Sequence, residues 1–238
     1  MKKFFVFLFF VNLLFAGDRF EFVILKHKNF YKGHASSYRN FLEYLNDTTS
    51  IDPPLKVKEI EIGEEIFDYP FLYLGAKGSF PDFSRQSLEL LSRHLNSGGF
   101  LLIDEIEEYR QGEFLNSVKE FCKKIFPELK LEKIPNDDVI FKSFYLKPKV
   151  SGRKLKSNFL YGINKDGRWV VVFSPNDLFG VWARDEEGKF LFECIPGGEP
   201  QRLEGIKLSV NLVMYSLTGS YKQDIIHRKF IEMKLETW

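Results

Sequence analysis

The sequence predicts an α/β fold: a doubly wound, mostly parallel sheet with helices on both faces and a β-hairpin elaboration in its second half. Three observations predict it. Phe71–Leu74 and Phe100–Ile103 are short runs that are apolar at every position, as strands buried on both faces are. Between them lies a segment with Leu88, Leu91 and Leu95 at helical spacing, the crossover that a parallel pair requires. Later, Asp166-Gly167 separates Phe159–Asn164 from Arg168–Phe173, the strongest short hairpin signal in the chain.

The elements follow in order. Phe20–Lys26 reads as the first strand, and Ser36 or Ser37 caps a helix through Leu45. Val57–Ile62 alternates and reads as a half-exposed strand. Ser84 caps the crossover helix, Gly98-Gly99 ends it, and His94 falls on its exposed phase. Glu113–Ile125 is helical and stops before Pro127; Leu129–Ile134 is a further strand. Trp169–Phe173 is continuously apolar and belongs inside the sheet. Lys189–Ile195 reads as a short strand or ribbon, and Leu203–Leu217 as an apolar-faced helix stopping at Gly219. Residues 221–238 form a C-terminal surface helix or tail, with Ile225–Leu235 helical. Nothing resembles an interdomain linker, so residues 18–220 read as one domain.

Residues 1–16 read as a secretory signal. Lys2 and Lys3 precede an apolar run, Phe4–Phe15, broken only by Asn12, and Ala16-Gly17 supplies a small-residue cleavage site. As a helix that run spans about 18 Å, short of the roughly 30 Å of hydrocarbon in a bilayer. The expected location is exported, periplasmic or extracellular, with membrane contact only through this segment if it stays uncleaved.

The composition bounds the function. The 238 residues are 44% hydrophobic and 28% charged, with a formal net charge of +1. That balance has no basic stripe and gives no expectation of nucleic-acid binding. The basic stretch from Lys147 to Lys156 reads as solvated surface. Cys122 and Cys194 are the only cysteines; an oxidising compartment permits a bridge, while the pattern around Cys122 suits a core position. No motif requires a cofactor: there is no phosphate loop, no nucleophile elbow and no zinc-spaced His or Cys set.

The candidate site is the set of groups following the buried strands. Gly75, Lys77 and Gly78 follow Leu74; Asp104 and Glu105 follow Ile103; Ser174, Asn176 and Asp177 follow Phe173. If the strands are parallel neighbours, these groups share the carboxyl rim, where open α/β sheets bind ligands. Asp104 and Asp177 are the candidate metal ligands or acid–base pair. The glycines would let backbone amides approach a ligand. Each group also has a plainer role, since Asp at a strand end caps the next turn and Gly permits positive φ. Asp137-Asp138 reads as the start of a turn or short helix.

Several blocks together resemble the bacterial family called domain of unknown function 4159. They are Tyr69-Pro-Phe-Leu-Tyr-Leu-Gly, Gly98-Gly-Phe-Leu-Leu-Ile-Asp-Glu, Ile134-Pro ahead of Asp137, Phe141 through Tyr145, Gly167-Arg, Ser174-Pro-Asn-Asp-Leu and Asn211-Leu-Val-Met-Tyr. The resemblance spans about residues 20 to 220. It implies a flavodoxin-like fold similar to class I glutamine amidotransferases, with Asp104 standing where those enzymes carry their cysteine. Cysteine-based glutamine hydrolysis is therefore not expected. Family members often carry Asp-His-Pro where this chain has Asp137-Asp138-Val139. The leading expectation is an exported, non-catalytic module that binds a small ligand, a metal or a protein partner at its carboxyl rim. The alternatives are a hydrolase using Asp104 and Asp177 and a structural cell-envelope component.

Overall fold

A computed structural model describes residues 20–27, 35–78, 80–108 and 112–235, with backbone alone at residues 35, 107–108 and 219–235. The signal-like segment lies outside the described residues. Among the described residues seven strands form one sheet in the order β2-β1-β3-β4-β7-β6-β5. They are β1 (Val23–Leu25), β2 (Lys58–Ile60), β3 (Phe71–Gly78), β4 (Phe100–Glu108), β5 (Glu132–Lys133), β6 (Tyr161–Lys165) and β7 (Arg168–Ser174). The helices are α1 (Ala35–Thr48), α2 (Arg85–Asn96), α3 (Glu113–Ile125) and α4 (Gly198–Leu235). The five strands from β2 to β7 run parallel; β6 and β5 extend the sheet antiparallel.

Strand alternation divides the core into two layers. Phe71 and Tyr73 point to the face covered by α1 and α4, and Leu72 and Leu74 to the face covered by α2 and α3. This follows from the period of two along a strand, and it makes both faces apolar. The α1 face is aromatic. Phe22, Tyr38, Phe41, Tyr73 and Phe179 pack with ring centroids 5.0 to 5.8 Å apart. Such pairs add roughly 0.5–1.5 kcal/mol each beyond area burial. They pin the turn at Phe179–Trp182 onto α1.

The hairpin is as expected. Asp166 and Gly167 have φ of 52° and 82°, the two left-handed positions of a tight hairpin turn. The entry of β7 is held by Arg168, whose guanidinium donates to the carbonyls of Leu95, Gly98 and Gly99 at 3.0 to 3.1 Å. This cation satisfies carbonyls left open at the end of α2.

Several expectations are corrected. His94 is buried, because its ring lies over Gly99, where a β-carbon would collide with it. Burial pushes it down to about 4, so it is neutral. The segment Leu129–Ile134 contributes only the two-residue β5, paired antiparallel with β6 at the sheet edge. Lys189–Ile195 forms no strand; Phe190 and Ile195 make isolated bridges instead. Ser36 and Ser37 lie inside the first turn of α1 rather than capping it. The expected stop at Gly219 is passed, and α4 is one continuous helix to Leu235. A lone glycine costs a helix about 1 kcal/mol and does not oblige it to end. Cys122 and Cys194 are both buried free thiols. No described helix is long and apolar enough to cross a membrane.

Candidate functional site

The strand order brings the expected groups to one edge. β4 and β7 are parallel neighbours, with Asp104 opposite Ser174. Asp104, Glu105, Ser174, Asn176 and Asp177 therefore converge at the carboxyl rim, all buried. Gly75, Lys77 and Gly78 lie one strand away; they belong to β3 itself, as Asp104 and Glu105 belong to β4, because both strands run past their apolar cores.

Each acidic tip has a definite set of partners. The Asp104 carboxylate accepts from the amides of Leu178 and Phe179 at 2.9 and 3.1 Å and from the Tyr73 hydroxyl at 3.1 Å. Ser174 supplies a further hydrogen bond. Asp104 thus caps the turn that follows β7. Burial pushes its pKa up, against the pull of these four donors. Asp177 sits in the left-handed region, with φ of 52°, and its carboxylate forms a buried ion pair with Arg153. Burial first, and the neighbouring Asp104 charge second, push it up to about 7, while Arg153 pulls it down. Glu105 pairs with Lys156 at 3.0 Å.

These partners reveal what fills this part of the rim. Residues 150–158 run across it as a strap. Asn176 Oδ1 accepts from the amides of Lys156 and Ser157 at 2.8 and 2.9 Å, and its Nδ2 donates to the Ser157 carbonyl at 2.8 Å. The Arg153 amide donates to the Asp177 carbonyl at 3.0 Å. At Gly152 a β-carbon would strike the Asn176 carbonyl, so glycine is required for this approach. From the other side Gln201 of α4 donates to the Gly152 carbonyl at 2.7 Å. The chain itself occupies the space where a ligand was expected.

The other half of the rim carries a cleft. α1 leaves β1 on one face of the sheet and α2 leaves β3 on the other, so the winding reverses between β1 and β3. Open α/β sheets bind ligands at such a reversal. Beside that reversal, between the residues that follow β1 and β2 and the start of α2, lies a cleft of about 510 Å³, lined among others by Lys26, His27, Glu61, Phe83, Ser84 and Ser87. His27 Nε2 lies 3.1 Å from the Gly75 carbonyl, and burial lowers the histidine's pKa. Ser84 caps α2 by accepting from the Ser87 amide at 3.1 Å. A second cleft of about 280 Å³, between α2 and α3, shares Asp82 and Phe83 with the first and continues onto Phe80 and Phe121.

The glycines of β3 have plain roles. A β-carbon on Gly75 would come within 2.8 Å of the Tyr73 ring and 2.9 Å of Ile106, and Gly78 takes a φ of 79°. Lys77 is exposed. Among the described residues no three His, Cys, Asp or Glu side chains gather in a metal-binding arrangement. Asp104 and Asp177 bring two carboxylates, and their polar partners include Arg153, Tyr73, Ser174 and main-chain amides.

Sequence reasoning missed Arg153, Lys156, Tyr38 and Tyr73 as members of this cluster. The basic stretch was legible as charge, but no spacing ties Arg153 to Asp177 or Lys156 to Glu105. The model of the family described as Domain of unknown function (DUF4159) matches residues 19–217. No curated protein matches the chain.

Proposed function

The chain belongs to this family, and on that premise we propose that it is an exported, non-catalytic binding module that holds a small ligand in the cleft between the ends of β1 and β2 and the start of α2. The observation that carries this reading is the cleft beside the reversal of winding, on a rim whose acidic tips are already occupied. Its lining supports a polar or amphiphilic ligand: one lysine, two carboxylates, two serines and the Phe83 ring. Such mixtures fix orientation through a few polar groups on an apolar wall.

The hydrolase alternative draws on Asp177, whose pKa near 7 suits a general base. Against it, Asp104 and Asp177 are at most 3% exposed and bound to the protein's own donors. Titration with magnesium, manganese or calcium decides between the two. A raised melting midpoint that Asp104→Asn abolishes would favour the hydrolase.

The binding reading is tested by screening a fragment library against the isotope-labelled protein by NMR. Amide shifts should cluster at Lys26, His27 and Ser84 to Ser87, and Ser87→Trp should remove them. Shifts confined to the opposite edge, around Asn164 to Gly167, would overturn it. Export is tested separately: the exported protein should begin at Gly17, and an intact Met1 in the cytosol would overturn that part.

A further inference from the structure

Between the first turn of α1 and the tips of β3, β4 and β7 lies a crevice of about 10 Å³, lined by Ser37, Tyr38, Tyr73, Asp177, Gly180 and others. Its volume matches about one water-sized sphere. Ser37 is 2% exposed, and its Oγ has no hydrogen-bond partner among the described residues. A buried hydroxyl left in that state costs about 1–3 kcal/mol. The facing wall is mixed, with Tyr38, Tyr73 and Asp177 beside Ile106 and Phe179. Asp177 lies there against Gly180, where a β-carbon would stand 2.6 Å from the carboxylate Oδ2. The absence of a side chain at Gly180 leaves that carboxylate its room.

From these observations we infer that the crevice is a built site for one buried water, held by Ser37 Oγ and the Asp177 carboxylate, which joins the two acidic tips into a single hydrogen-bonded network. The hydrogen count closes. Tyr73 gives its one proton to Asp104 at 3.1 Å. Tyr38 is hydrogen-bonded to Tyr73 and therefore donates to it. The Ser37 hydroxyl donates to the water. The water donates one hydrogen to the Asp177 carboxylate and directs the other to the phenol oxygens across the crevice. A continuous path then runs from Asp177 through water, Tyr38 and Tyr73 to Asp104. Two to four polar partners are what a buried water requires. This inference does not depend on the cleft at β1 and β2, and neither stands or falls with the other.

A crystal structure of the natural protein at high resolution tests it. A single density peak is expected about 2.7–3.2 Å from both Ser37 Oγ and an Asp177 oxygen. An empty crevice would overturn the inference. So would a peak ringed by six or more oxygens at about 2.3–2.6 Å, which marks a cation. Ser37→Ala gives an independent reading. If water is bound, the variant strips it of a partner, and the melting midpoint falls by about 2–4 °C. If the crevice is dry, the variant removes an orphaned hydroxyl, and an unchanged or higher midpoint overturns the inference.

Discussion

At the ends of β4 and β7, Glu105, Asn176 and Asp177 are tied to the protein's own strap and Asp104 to the turn after β7; beyond the ends of β1 and β2, Lys26, His27 and Glu61 line a cleft. The difference comes from the loops. In the first half of the chain β1 and β3 are each followed by a helix, α1 and α2. The second half inserts residues 134–160 between β5 and β6, and part of that insertion lies over the tips. Acidic residues at strand ends are therefore ambiguous. The same Asp reads as a ligand where nothing covers it and as an anchor where a basic loop can reach it.

The comparison breaks most visibly at Arg153. Arg153→Ala should leave Asp177 buried without its cation and lower stability by about 3–5 kcal/mol, read from urea unfolding. The loss should be larger at pH 8 than at pH 5, where protonation of Asp177 relieves it. If Arg153→Ala unfolds like the natural protein, the strap is not anchored as described. Next in size is Asp104→Ala, which strands two amides and a hydroxyl and should lose roughly 3 kcal/mol or more. Asp104→Asn keeps one acceptor oxygen and should lose less.

Acidity sharpens the contrast further. Asp177 has a folded pKa of about 7, above its ordinary carboxyl value, so the folded state binds the proton more tightly than the unfolded state. That stabilisation is complete below the ordinary carboxyl range and lost as pH rises through about 7. Unfolding free energies from urea titrations should accordingly fall between pH 4 and 7, by at most about 1.4 kcal/mol per pH unit from this group. Asp177→Asn should flatten the slope; an unchanged slope would assign it elsewhere. The smallest effects belong to the half with the cleft. Lys26→Ala and Lys77→Ala, both at exposed side chains, should shift unfolding by no more than about 0.5 kcal/mol. A large loss at either would mean that this half is also a structural anchor.

The layered fold was legible because β3, β4 and β7 carry runs apolar on both faces and because Asp166-Gly167 announces its turn. The convergence of Asp104 with Asp177 was legible too, since parallel neighbours end on the same edge. The strap was not. Arg153 and Lys156 lie in a stretch without periodicity, and their partners are 24 and 51 residues away along the chain. Helix caps and strand ends are local events that leave local patterns. A loop's landing place is decided by the whole sheet. His94 shows the same limit on a smaller scale: helical phase placed it outside, and a glycine in the next turn drew it in.

Arg168 carries a consequence for assembly. Its three carbonyl partners form a cluster only after the crossover helix has closed onto its Gly-Gly exit, roughly seventy positions earlier in the chain. The hairpin's berth is therefore part of the β3-α2-β4 unit. A one-residue slip would turn Arg168 to the wrong side and forfeit all three bonds at once. The late arrival checks the early work: the clasp shuts only on a correctly finished neighbour.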